Sequence, residues 1–158
     1  MNEPRDAAAV RFPPPLIPLA MILLGGLLDR VWPIDLGFEL PAAIRYAAGG
    51  LVVTFALTLA SWAIAHFRAS DQNEKPWTPT TAIVDAGPYR FTRNPMYLAM
   101  VLLCVGAAIL LANDWILALT PICAFALWWF AIRPEEAYLE SKFGEGYRAY
   151  TRRVRRWL

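Results

Sequence analysis

Two short stretches of the 158-residue chain hold most of the residues suited to chemistry. The first is TTAIVDAGPYRFTRNPMYL at 80–98, and the second is RPEEAYLESKFGEGYRAYTRRVRRWL at 133–158. Tyr89 and Tyr97 offer ring faces to a cation or a purine, while Glu135 and Glu136 offer carboxylates to an amine or a ribose hydroxyl. Arg93 can pin the loop to lipid headgroups or pair with one of those carboxylates. Together these residue types suit a small, charged, amphipathic ligand. They equally describe a plain basic and acidic membrane boundary with two helix-capping glutamates, and residue type alone does not separate the two readings.

Other site chemistries find little support. Cys104 and Cys123 show no CxxC spacing and read as small buried apolar side chains. His66 stands alone and reads as an interfacial residue, so no metal site is expected. The net charge of +2 is too small to imply nucleic acid as a partner.

The elements that must position these residues are membrane spans. Hydrophobic residues make up 58% of the chain and its mean hydropathy is +0.38, well above a soluble domain. Residues 12–28, 46–67, 94–113 and 115–132 contain no Asp, Glu, Lys or Arg. Each is near the ~20 residues a helix needs to cross hydrocarbon. Arg5 and Arg11 before the first stretch imitate a signal peptide, but Pro13, Pro14, Pro15 and Pro18 and the lack of a small-x-small cleavage site favour a retained span. Spans that carry no acidic or basic side chain, apart from His66 at the end of span two, argue against an ion-coupled transporter.

The expected fold is therefore all-α, a polytopic membrane protein with four transmembrane helices and a C-terminal amphipathic interfacial helix, in one membrane domain, 1–158. Spans one and two occupy 12–67. Asn113 and Asp114 leave so short a turn that spans three and four form an antiparallel hairpin, which places the start of span three beside the end of span four. Arg68, Lys75, Arg90 and Arg93 share a side with the basic tail, which puts both termini in the cytoplasm of a bacterial or archaeal inner membrane. Trp32, Trp62, Trp77, Trp115 and Trp157 sit where interfacial anchors belong, Gly25-Gly26 and Gly49-Gly50 allow close helix approach, and Pro121 should kink span four. In the tail, Leu139, Phe143, Tyr147, Tyr150, Val154 and Trp157 form an apolar stripe on a helix broken near Gly144 and Gly146.

Taken jointly, Gly-x-Tyr, Arg-x-Pro-x-Tyr, the paired glutamates and Phe-Gly-x-x-Tyr make residues 74–158 resemble the isoprenylcysteine carboxyl methyltransferase and phospholipid methyltransferase superfamily of integral membrane enzymes. The resemblance implies methyl transfer from S-adenosylmethionine to a lipophilic acceptor at the cytoplasmic interface, with membrane lipids as surroundings and no obligatory protein partner. Carried over by position, it implies cofactor contacts at Glu74, Thr81, Ala82, Ile83, Val84, Tyr89, Asn94, Pro95, Met96, Tyr97 and Glu135. It implies Arg133 as an acceptor-facing cation, with Glu136 and Arg93 beside it as catalytic candidates. Eukaryotic members usually carry His where Asn94 stands and often where Thr81 stands; Asn holds a ligand but carries no proton near neutral pH. A prenylcysteine carboxylate, a phospholipid amine and a hydrophobic thiol all fit as acceptor. The alternatives are a sterol-reductase-like enzyme using NADPH, against which stands the lack of GxGxxG, and a non-enzymatic four-helix membrane protein.

Overall fold

A computed structural model of the chain describes residues 7–10, 12–37, 40–70 and 78–158. Arg5, Arg11, Glu39, Asp71, Glu74, Lys75 and Trp77 lie outside the described residues. Among the described residues every regular element is helical: α1 (Leu16–Val31), α2 (Ala42–Ala69), a 3-10 turn (Gly87–Arg90), α3 (Pro95–Leu111), α4 (Asp114–Leu127), a π-helical turn (Trp128–Ile132), α5 (Arg133–Phe143) and α6 (Glu145–Arg153). The all-α class is as the sequence implies.

The spans are less uniform than the uncharged stretches suggest. Helix α2, with 28 residues, and the continuous 30-residue stretch Asp114–Phe143 are long and apolar enough to cross a bilayer. The first helix has 16 residues and the third has 17, both short of ~20. Each is trimmed by identifiable residues. Helix α1 starts only after Pro15, because a residue that precedes proline is pushed out of the helical region. Helix α3 starts at Pro95 and stops at Ala112, which turns left-handed with φ 47°. At the other end the helical backbone runs past Ile132 without a break, through the π-helical turn and on past Pro134.

The helices pack in antiparallel pairs, α1 along α4 and α2 along α3, with α3 and α4 joined as a hairpin. Asn113 closes the hairpin: its N–H donates to the Ala108 carbonyl at 3.0 Å and its Oδ1 accepts from the Ile116 N–H at 2.8 Å, capping α4. One glycine of each pair makes the close approach. A Cβ on Gly25 would lie 2.6 Å from the Ile116 side chain, and one on Gly49 would lie 2.9 Å from the Leu110 backbone nitrogen, whereas Gly26 and Gly50 face open space. Gly49→Val should therefore force α2 off α3 and cost about 1–3 kcal/mol. Gly50→Ala should be neutral or mildly stabilising through helix propensity. Thermal melts of the two variants in detergent measure the contrast.

Ile17, Tyr97, Cys104, Cys123, Leu127, Ala131 and Ile132 form the core where α1, α3 and α4 meet. The two thiols are 3.8 Å apart, free and fully buried, consistent with packing. Cys104→Ala and Cys123→Ala should retain activity at the cost of about 1 kcal/mol of stability each; loss of methyl transfer in a folded variant would overturn the packing role. Leu23, Leu27, Leu51, Phe55 and Phe125 point outward and are more than half exposed, as in a bundle whose solvent is lipid.

The tail departs from expectation. Its helix does break at Gly144, whose φ of +52° suits glycine. Its apolar stripe, however, turns inward: Tyr147, Tyr150 and Val154 are buried against Ile83, Leu139 and Phe143. Arg148, Arg152, Arg153 and Arg155 face out. Trp157, expected as an interfacial anchor, packs against the α1, α3 and α4 core instead.

Candidate functional site

The turn Gly87–Arg90 starts the site. Gly87 has φ +58°, and a Cβ there would fall 2.5 Å from the His66 ring, so the loop closes on α2 only with glycine at this position. The His66 ring in turn lies with Nδ1 3.1 Å from the Trp62 carbonyl. This seats Tyr89 with its ring 5.8 Å from that of Phe67. The Tyr89 ring is buried, and its hydroxyl has no hydrogen-bond partner among the described residues.

Past the turn, residues 92–94 form a rack for the C-terminal segment. The Arg93 N–H donates to the Arg155 carbonyl at 2.9 Å, while the Thr92 hydroxyl and the Asn94 side-chain amide both donate to the Arg156 carbonyl at 3.1 Å. Ion pairs complete the attachment. Arg156 binds Glu136 through both Nε and Nη2, with the shortest contact at 2.8 Å, and Arg93 Nη2 reaches the same carboxylate at 3.1 Å. Higher up, the Tyr150 hydroxyl donates to the Tyr89 carbonyl at 2.8 Å. Three segments distant in sequence are thereby tied around one space.

That space is an open cleft of about 480 Å³, mouth included, lined by residues of the 80–84 loop, by Tyr89, Arg93 and Asn94, by Glu135 and Glu136, and by Tyr147 and Tyr150. The two glutamates differ sharply. Glu136 is clamped by two arginines. Glu135 accepts from the Tyr97 hydroxyl at 2.8 Å and takes part in none of the ion pairs among the described residues. Glu135 lies beyond the uncharged stretch that ends at Ile132, and burial pushes its carboxyl up to about 7 against the lowering effect of the Tyr97 bond. Burial likewise raises the Tyr89, Tyr147 and Tyr150 phenols, so all three stay neutral donors across the physiological range.

Of the residues singled out in the sequence, Ala82, Ile83, Val84, Tyr89, Asn94 and Glu135 line the cleft together, as do Arg93 and Glu136. Thr81 is exposed beside Thr80, which lines the wall and donates its N–H to the Tyr138 hydroxyl at 3.2 Å. Pro95 and Tyr97 lie behind the wall, buried in α3, and Tyr97 reaches the site through Glu135. Met96 is half-buried and does not line the cleft. Arg133 is turned away: exposed, its guanidinium lies 4.7 Å from the centre of the Trp129 ring. Phe67, Leu139, Tyr147, Tyr150 and Arg156 were not singled out for the site from the sequence. For Tyr147 and Tyr150 the signal was their place on the tail's apolar stripe, which does not say whether protein or lipid covers it.

Residues 44–146, well over half of the chain, match the phospholipid methyltransferase family. The chain belongs to that family. The match takes in α2, the cleft loop, the α3–α4 hairpin and both glutamates, and so begins earlier than the motifs alone indicate. A curated relative, the protein-S-isoprenylcysteine O-methyltransferase of Schizosaccharomyces pombe, is 31% identical over 102 residues, covering 63% of this chain and 40% of that enzyme. An uncharacterized protein of Haemophilus influenzae is 45% identical over 65 residues, 40% of this chain and all of that protein. No solved structure matches significantly. Membership in the phospholipid methyltransferase family and the long apolar helices together make the chain a membrane methyltransferase with lipophilic substrates as its class.

Proposed function

We propose that the cleft binds S-adenosylmethionine and that the protein methylates a lipophilic acceptor at the cytoplasmic face of a membrane. The observation that carries this reading is the pairing of an unpartnered, buried Tyr89 hydroxyl with a Glu135 carboxylate free of arginine, in one cleft within the family match. A buried polar group without a partner costs stability unless a ligand satisfies it. A cofactor with a purine, ribose hydroxyls and a cationic end fits these donors and acceptors.

When bound, S-adenosylmethionine supplies a methyl group already activated on a sulfonium. The chain then has mainly to hold and orient. Tyr97 fixes one Glu135 oxygen and leaves the other for a hydroxyl or amine of the ligand. Tyr89 offers its hydroxyl and a ring face, the 82–84 backbone forms the opposing edge, and Tyr147 and Tyr150 shield the site from water. Arg93 and Glu136 neutralise one another near the acceptor side. Positioning of this kind accounts for much of the acceleration available when bond breaking is already activated. Asn94 spends its amide on the Arg156 carbonyl, which suits a holding role and not proton transfer.

In this reading the chain is one membrane domain, 1–158, in which 74–158 carries the chemistry and α1 and α2 shape the lipid side. All four of α1–α4 cross a bilayer locally thinned around the shorter two, and the outward arginines of α6 rest on headgroups. Purified protein in detergent should be stabilised by S-adenosylmethionine or S-adenosylhomocysteine and not by NADPH, as read by thermal unfolding. Stabilisation by NADPH alone would transfer the site to the reductase reading.

A further inference from the structure

A second cleft lies at the opposite end of the bundle, where α3 turns into α4 and α2 begins. It encloses about 700 Å³, mouth included, and its wall is mostly apolar, with Leu40, Ala108, Ile109 and Leu117 among its lining residues. Two charged side chains enter it, Arg45 and Asp114. Asp114 is partly engaged, since its Oδ2 accepts the Leu36 N–H at 2.7 Å. Arg45 takes part in none of the ion pairs among the described residues.

The charge of Arg45 is only partly accounted for by its surroundings. It sits near the start of α2, where the helix dipole disfavours a cation, and the first turn contains no acidic residue to offset it. Its Nη2 donates to the Tyr46 hydroxyl at 3.0 Å and its guanidinium lies 4.8 Å from the centre of that ring. Its Nε is buried with no acceptor among the described residues. A buried charged donor without a partner is costly, and an anion at the cleft removes that cost while completing the guanidinium fork.

We propose that this cleft binds an anionic phospholipid of the leaflet opposite the methyl-transfer site, with its phosphate on Arg45 and its hydrocarbon along Ile109 and Leu117. The lipid matches both halves of the site. A free phosphate uses only the cation and leaves the apolar wall wet. Ile44 and Leu111, exposed beside the cleft, continue the apolar surface outward into the bilayer. The site is separate from the methyl-transfer cleft, so its occupant is a bound lipid and not an acceptor.

The test is native mass spectrometry of delipidated protein titrated with phosphatidylglycerol or phosphatidylcholine. The unsubstituted protein should retain one phosphatidylglycerol about tenfold more strongly than phosphatidylcholine, and Arg45→Gln should lose that preference while Arg45→Lys keeps part of it. Glu135→Gln should retain the lipid unchanged, which separates this site from the methyl-transfer cleft. Methyl transfer by Arg45→Gln should be unaltered. Equal retention of the two lipids by the unsubstituted protein overturns the proposal without recourse to any variant. Undiminished phosphatidylglycerol binding by a folded Arg45→Gln overturns it as well, and so does displacement of the lipid by glycerol 3-phosphate at matching concentration.

Discussion

Glu135→Gln should sharply reduce the thermal stabilisation conferred by S-adenosylmethionine while leaving the unliganded protein as stable as before, or more so. The asymmetry follows from burial. In the unliganded fold Glu135 accepts one hydrogen bond, from Tyr97, and its carboxyl is held up at about 7 by desolvation. A group whose folded value exceeds its unfolded one stabilises the fold at low pH, and that contribution is lost as pH rises through about 7. Gln cannot ionise and escapes the penalty. Binding runs the other way, because a cationic ligand is favoured by the ionised carboxylate. Affinity for S-adenosylmethionine should therefore rise as pH increases through about 7, and Glu135→Gln should flatten that profile with a loss of roughly tenfold to a hundredfold above it. Calorimetric titration at several pH values measures both. Tyr97→Phe is the companion variant; Tyr97→Ala would also open a hole in the core to which Tyr97 belongs. Unchanged affinity in both Glu135→Gln and Tyr97→Phe would sink the cofactor assignment.

Its neighbour should behave in the reverse manner. Glu136→Ala leaves Arg93, with 12% of its side chain exposed, and Arg156, with 40%, facing each other without the carboxylate that joins them. Removing one member of a largely buried ion cluster costs about 2–3 kcal/mol, or a melting temperature lower by roughly 5–10 °C. Arg156→Ala, which removes a half-exposed partner and leaves Arg93 paired, should cost about 1 kcal/mol or less. Because the lost contact anchors the tail that carries Tyr147 and Tyr150, limited proteolysis should cut Glu136→Ala within 144–158 much sooner than the unsubstituted protein. A fully stable Glu136→Ala with no methyl transfer would make Glu136 a chemical group and not a clasp. The pair of results, binding lost without instability at one glutamate and instability at the next, is a sharper check than either alone.

Much of this arrangement was legible in the chain. The absence of charges marked the helices, the turn at Asn113 and Asp114 forced the hairpin, and the hairpin brought the 80–98 loop to the glutamates. The residues that escaped did so for physical reasons. An apolar stripe at helical spacing is the same whether it meets lipid or protein, so Tyr147, Tyr150 and Trp157 gave no hint that they face inward. Arg156 sits in a run of arginines whose members are alike in type, and only the hydrogen bonds that Thr92, Arg93 and Asn94 donate to the Arg155 and Arg156 carbonyls select which one meets Glu136. The resemblance implies an acceptor-facing Arg133, yet helical phase points it to Trp129.

That phase is set by the widened turn Trp128–Ile132. A π-helical turn holds one residue more than a regular turn, so every residue after it is displaced by about 100° from where a regular helix would direct it. With that residue in the turn, Glu135 and Leu139 are the ones that line the cleft. An alignment gap inside 128–132 is therefore the one indel this helix can accept without rotating its carboxylate away, because deleting a residue there straightens the turn and keeps Glu135 in phase. A residue lost or gained anywhere else between Asp114 and Glu135 would turn the side chain by about 100°, so relatives that differ in length across this helix should differ at the turn and nowhere else.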